Sequence, residues 1–142
     1  MLLAPVVAFA ILSASARRPG NLGVVDGRLA DCPPSPNCVC TQAAAASHQA
    51  QPIPFTGSAA EAADRLRAVL SRQPRTAIIT DRGDYLHAEA TSLLFRYVDD
   101  VEFFIDADKQ VIHFRSASRV GHSDLDVNRG RMQAIRTAFL AE

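Results

Sequence analysis

The chain lacks an excess of charge of either sign, with fifteen Lys and Arg balancing fifteen Asp and Glu among 142 residues. A protein that holds nucleic acid releases counterions through a basic surplus, so no nucleic-acid partner is expected. There is no internal repeat, which argues against solenoids and propellers. The longest apolar run, Leu2 to Leu12, is shorter than the ~20 residues that cross a bilayer as a helix. No Lys or Arg precedes it, as a full secretory signal would require. The three cysteines show no C-x-x-C pair, the spacing of common zinc modules, and no complete catalytic or cofactor motif is present. Neither a cofactor nor a metal is therefore expected.

The N-terminus nevertheless has its own composition. After the apolar run come Ala14-Ser15-Ala16, a small-x-small site of the kind signal peptidase accepts, and Arg17-Arg18. Residues 1–18 read as a signal-like or membrane-anchor segment, and the protein as membrane-associated or exported to the cell envelope. Its sidedness stays open, because two arginines after the run favour retention on the cytoplasmic side.

Residues 19–51 read as a Pro- and Ala-rich linker carrying one cysteine loop, Asp31-Cys32-Pro-Pro-Ser-Pro-Asn-Cys38-Val-Cys40. The prolines stiffen it and can bring Cys32 and Cys38 within bridging distance, the disulfide expected of an exported protein. Cys40 is then left over. The rival readings are a zinc site made with His48, and free thiols if the protein is cytosolic.

A compact domain is expected over 52–142. Ser58 with Glu61 three residues on forms a capping box, Ala62, Leu66, Val69 and Leu70 share one stripe, and Pro74 stops the helix. Strands follow at Thr76 to Asp81, Tyr85 to about Leu93, and on either side of a turn centred on Asp108-Lys109. That turn sets Phe103 opposite Phe114, Ile105 opposite Ile112, and Glu102 opposite Arg115. Met132, Ile135, Ala138 and Phe139 mark a final helix, capped by Asp126 or Asn128. Gly130 in its first turn suggests close approach of another group. The expected fold is α+β, an antiparallel sheet of about four strands with two helices on one face.

Strand parity then divides the side chains. Leu86, Ala88, Val101 and Phe103 face the helices, while His87, Glu89, Asp100, Glu102, His113 and Arg115 share the other face, expected to be open. His87, Glu89 and His113 are the catalytic candidates, as a general base with a carboxylate neighbour; the plain alternative is a set of cross-strand ion pairs. Ser116 and Ser118 fall on the helix side and read as core hydroxyls. Arg115, Arg119, Asn128, Arg129 and Arg131 are the binding candidates, since arginine forks and a helix start both favour anions. Against this, the loop carries its own acidic partners.

From about Gly27 the chain resembles an uncharacterised family, the domain of unknown function 1499. The likeness rests on five ordered motifs: Cys32-Pro-x-Ser-Pro-Asn-Cys38-Val, Tyr85-Leu-His-Ala-Glu89-Ala-Thr-Ser92, Asp99-Asp-Val-Glu-Phe103, Arg115-Ser-Ala-Ser-Arg119-Val-Gly and Ser123-Asp-Leu-x-Val-Asn-Arg129. The resemblance implies a small bacterial or plastid protein with an N-terminal signal, lipoprotein or membrane segment, and supplies no catalytic residues. Cys40 stands where a serine is usual and Asp126 where a glycine is usual. The expected function is a binding module for an anionic small molecule or a protein partner. The alternatives are a hydrolase using the His87 and Glu89 pair with arginine as anion stabiliser, and a structural or assembly protein.

Overall fold

A computed structural model describes residues 16–142. The signal-like or anchor segment therefore lies outside the described residues except for its last three positions. Strands β1 (Cys38–Cys40), β2 (Ile53–Pro54), β3 (Thr76–Asp81), β4 (Tyr85–Thr91), β5 (Val98–Asp106) and β6 (Val111–Ser118) form one six-stranded sheet. The helices are α1 (Ala59–Ser71) and α2 (Val127–Leu140), with one 3-10 turn at Ala46–His48. The class is the expected α+β, with two strands more than the sequence pattern disclosed.

The sheet order is β1-β6-β5-β4-β3, and every pairing is antiparallel. The short β1 and β2 share the outer edge of β6, β1 opposite Arg115 to Ala117 and β2 opposite Val111 and Ile112. β1 corrects the reading of residues 19–51 as linker. Val39 is 1% exposed and belongs to the core, so this stretch is part of the packed domain. A three-residue strand is too short to show period-two alternation, which is why composition alone reads as linker.

The β5 and β6 register is as expected, with Phe103 opposite Phe114, Ile105 opposite Ile112 and Glu102 opposite Arg115. Leu86, Ala88, Val101, Phe103, Ile112 and Phe114 form the sheet's share of the core, and Leu66, Val69, Leu70, Met132, Ile135 and Phe139 pack onto them from the helices. Each large aliphatic or aromatic side chain removed from water in this way contributes ~1.5–3 kcal/mol. The helices thus cover one face.

Both helix starts follow from sequence chemistry. Ser58 Oγ accepts from the Glu61 amide at 3.1 Å while Glu61 Oε2 accepts from the Ser58 amide at 2.8 Å, the full capping box. At α2 the structure differs from the expectation that Asp126 or Asn128 caps. Asp126 has a left-handed backbone, φ 64°, and caps nothing with its side chain. Asp124 does so instead, its Oδ2 accepting from the Asn128 amide at 2.8 Å. Gly130 is also corrected: a Cβ there would meet nothing within 4 Å, so no close approach requires it.

Candidate functional site

The polar face expected to be open is buried. His87 is 2% exposed, Asp100 1%, Glu102 0% and Arg115 4%. What covers it is the segment before β1. Arg18 donates to Glu89 Oε1 at 2.6 Å, the Gly23 amide donates to Glu102 Oε1 at 2.8 Å, and Arg115 Nη2 donates to the Asp31 carbonyl at 3.4 Å. The strap is pinned at its far end by the Cys32–Cys38 disulfide, the expected pairing. Gln42 steadies its middle by accepting from the Leu29 amide at 2.9 Å and donating to the Gly27 carbonyl at 3.0 Å.

Beneath this cover the side chains form cross-strand rows. In the first row, Asp100 on β5 accepts from Arg119 at both oxygens, 2.8 Å to each, and lies 2.8 Å from His87 Nε2. Arg119 also reaches Glu89 Oε1 at 2.5 Å. Burial by itself would raise the Asp100 and Glu89 carboxyls. The arginine hydrogen bonds and charges outweigh that penalty, with His87 adding to the effect on Asp100, and hold both below the ordinary carboxylate range. The Arg119 guanidinium is correspondingly held more firmly protonated, first by its hydrogen bond to Asp100.

In the second row, Glu102 takes hydrogen bonds from Gly23 and from the Tyr85 hydroxyl, 2.8 Å each, and faces Arg115 across 3.6 Å. Burial first, and the Glu102 charge second, push the Tyr85 hydroxyl far above ordinary phenol. Glu102 Oε2 and Arg115 Nε have no hydrogen-bond partner among the described residues. Cys40 lies beside them, fully buried, its Sγ 3.9 Å from the Ala30 carbonyl. Burial raises its thiol and suppresses the reactive thiolate.

His113 does not join His87. It stacks on Phe104, with ring centroids 6.2 Å apart, and its Nδ1 lies 3.1 Å from Thr41 Oγ1. Burial lowers its pKa. The third catalytic candidate, Glu89, is shared between Arg18 and Arg119 and is linked to His87 only by way of Arg119 and Asp100. His87, Glu89 and Asp100 bring ligand-type atoms within 4.8 Å of one another. The Arg119 guanidinium already bridges the two carboxylates, so the cation in this cluster is the protein's own.

The binding candidates are dispersed and do not form the expected anion cradle. Arg115 faces Glu102, Arg119 sits on Asp100 and Glu89, and Arg131 binds Asp99 at 2.6 Å. Asn128 is a buried hub, accepting from Ser116 Oγ at 2.6 Å and donating to the Asn37 carbonyl at 3.2 Å and Ser118 Oγ at 2.9 Å. Ser116 and Ser118 are on the helix side as parity requires, bonded to this asparagine. Carboxylates of β4 and β5, rather than an incoming anion or the loop's own Asp124 and Asp126, pair with Arg115, Arg119 and Arg131.

Arg129 is the exception. It and Arg136, one on each side of an exposed turn of α2, donate only to backbone carbonyls, Arg129 to Ser47 and Gln49 at 3.0 Å each and Arg136 to Gln51 at 3.3 Å and Pro52 at 2.5 Å. Neither has a carboxylate within ion-pairing distance among the described residues. They line a cavity of about 690 Å³ between the β1 and β2 edge and α2, together with Val39, Phe114, Met132 and Gln133. No acidic side chain lines it. Sequence reasoning missed this groove because it exists only where two short strands share one edge of β6, with Thr41 bridging the gap through its bonds to the Phe114 backbone. The alternation of Arg129, Met132, Gln133 and Arg136 along one helix face was the available signal.

The chain belongs to the family described as protein of unknown function DUF1499, whose model matches residues 28–139. No curated protein and no solved structure matches it. Among the described residues no helix is long and apolar enough to cross a membrane.

Proposed function

We propose that the domain is a binding module for an amphipathic anion, a small carboxylate or similar acid with an apolar body, held in the groove between the β1 and β2 edge and α2. The observation that carries this reading is the composition of the groove: an apolar floor of Val39, Phe114 and Met132, flanked by Arg129 and Arg136, neither of which is in an ion pair among the described residues. Its volume, about 690 Å³, falls in the ~300–1,000 Å³ range of small-molecule sites. Guanidinium groups that give hydrogen bonds to carbonyls keep their full charge, so an anion would supply the missing counter-charge.

The His87 and Asp100 pair supports stability better than hydrolysis. It lies under the strap with both side chains almost wholly excluded from solvent, and its neighbours satisfy it without a substrate. The Leu2 to Leu12 run and the Cys32–Cys38 bond support an exported or membrane-tethered setting, because disulfides persist in oxidising compartments.

Calorimetric titration with decanoate, and with decanol as the uncharged counterpart, tests the binding reading. Decanoate is expected to bind and decanol to bind at least tenfold more weakly, with Arg136→Gln and Arg129→Gln each weakening decanoate by about tenfold, or about 1.4 kcal/mol. Equal affinity for acid and alcohol, or for wild type and both variants, would overturn it.

A further inference from the structure

Exposed apolar side chains are ordinary on a surface, and Val25, Ile78, Ile79 and Leu140 lie elsewhere, on the strap, β3 and the end of α2, but four others share one end of the sheet. Leu93 and Leu94, 72% and 63% exposed, sit in the loop joining β4 to β5. Leu125, 91% exposed, sits in the connection from β6 to α2, and Val127, 49% exposed, is the first residue of α2. Both connections belong to the same end, because the Arg119 amide donates to the Val98 carbonyl at 3.2 Å just past the ends of β5 and β6. The opposite end is different. Its turns carry Arg82, Asp84, Asp108 and Lys109 and no large apolar residue.

The course of the strap adds a second, independent observation. Arg18 is clasped to Glu89, two residues from the Thr91 end of β4 and so ~7 Å from it. Gly23 meets Glu102 farther along the face. The described chain therefore starts at the apolar end and runs away from it. In sequence the Leu2 to Leu12 run stops four residues before Ala16, and the described chain enters near the Thr91 end of β4, from which the loop of Leu93 and Leu94 leaves. Arg75, whose Nε donates to the Thr91 carbonyl at 2.9 Å, adds positive charge at this rim, as does Arg17, while Arg18 is paired with Glu89. Leu125 stands between two acids: Asp124, engaged by the first turn of α2, and the exposed Asp126, whose side chain caps nothing.

From this convergence we infer that the loop end of the sheet is a bilayer-contact surface, with Leu93, Leu94 and Leu125 entering the interfacial region of an anionic leaflet beside the N-terminal tether. Apolar side chains flanked by arginines are the composition that binds such an interface. The inference rests on the membrane-tethered reading above and fixes the domain's orientation on the membrane, with the β5–β6 turn pointing away from it.

The absence of tryptophan allows a direct test in the full chain. Leu94→Trp and Leu125→Trp place a unique fluorophore at the proposed contact, and Asp108→Trp places one at the opposite end. Each is mixed with phosphatidylcholine and phosphatidylglycerol vesicles, with and without brominated acyl chains, and followed by flotation and fluorescence. The expected result is flotation of all three, with a blue shift and quenching by brominated lipid for Leu94→Trp and Leu125→Trp only. Flotation with both loop fluorophores unquenched, or with Asp108→Trp quenched equally, overturns the orientation while leaving the tether intact. Failure of every chain to float overturns the tethered reading and the orientation together.

Discussion

Arg119 grips Asp100 with two hydrogen bonds, Nε to Oδ2 and Nη2 to Oδ1, each 2.8 Å, in a position where the carboxylate is 1% exposed. A planar guanidinium and a carboxylate match in this way only when both are held by their surroundings. Here β5 fixes the acid, His87 Nε2 meets a second lone pair of Oδ1, and the strap excludes water. The arginine that the sequence offered as an anion ligand is the internal counter-ion of the sheet's polar face.

Removing that counter-ion should be expensive. Arg119→Ala leaves Asp100 charged and buried without its main partner, and the expected loss of unfolding free energy is about 3–5 kcal/mol. Urea denaturation of the variant checks this. A loss below 1 kcal/mol would mean that the pair is far better hydrated than its burial implies.

The same pair sets an acid dependence. The Asp100 and Glu89 pKa values are lowered in the folded state, so the native protein binds protons less readily than the unfolded chain. The resulting stability is fully present above the unfolded carboxylate range, ~4–5, and is lost as pH falls from there through the lower folded values. Thermal melts from pH 7 to pH 3 should show this decline, and Asp100→Asn should flatten it while lowering stability at neutral pH.

The strap should be integral to the fold. Gly23 has φ 112°, a conformation that side chains resist, and its amide is one of two donors to Glu102 Oε1. Gly23→Ala strains the backbone and turns that donor away, at an expected cost of about 1–3 kcal/mol. Faster hydrogen exchange in Tyr85 to Glu89 would accompany it.

Thiol chemistry gives a separate test. Cys32 and Cys38 close a short loop, with a sequence separation of 6, so Cys38→Ser should cost about 2 kcal/mol. Denatured but unreduced protein should titrate one thiol, that of Cys40, and three after reduction. Three thiols before reduction would contradict the bond.

Much of the sheet was legible because strand parity and the β5–β6 turn are encoded by side chains: Phe103 with Phe114 and Glu102 with Arg115 follow from alternation alone. Parity also separated Ser116 from Arg115 correctly. It could not say whether the polar side met solvent. The cover meets Glu102 and Arg115 through main-chain groups, the Gly23 amide and the Asp31 carbonyl, which leave no periodic trace in sequence. The groove was hidden for a related reason. Its walls, Gln49 to Pro52 and the Arg129 to Arg136 face, are 80 or so residues apart and meet only through backbone carbonyls.

Chemical-shift mapping of the full chain with decanoate most directly separates a groove from a polar-face site. Backbone amides of Gln49, Gln51, Phe114, Arg129, Gln133 and Arg136 are expected to move, while those of Tyr85 to Glu89 and Asp100 to Glu102 stay in place. Shifts concentrated on His87, Glu89 and Asp100, with the groove silent, would contradict the assignment and return the polar face to the centre of function.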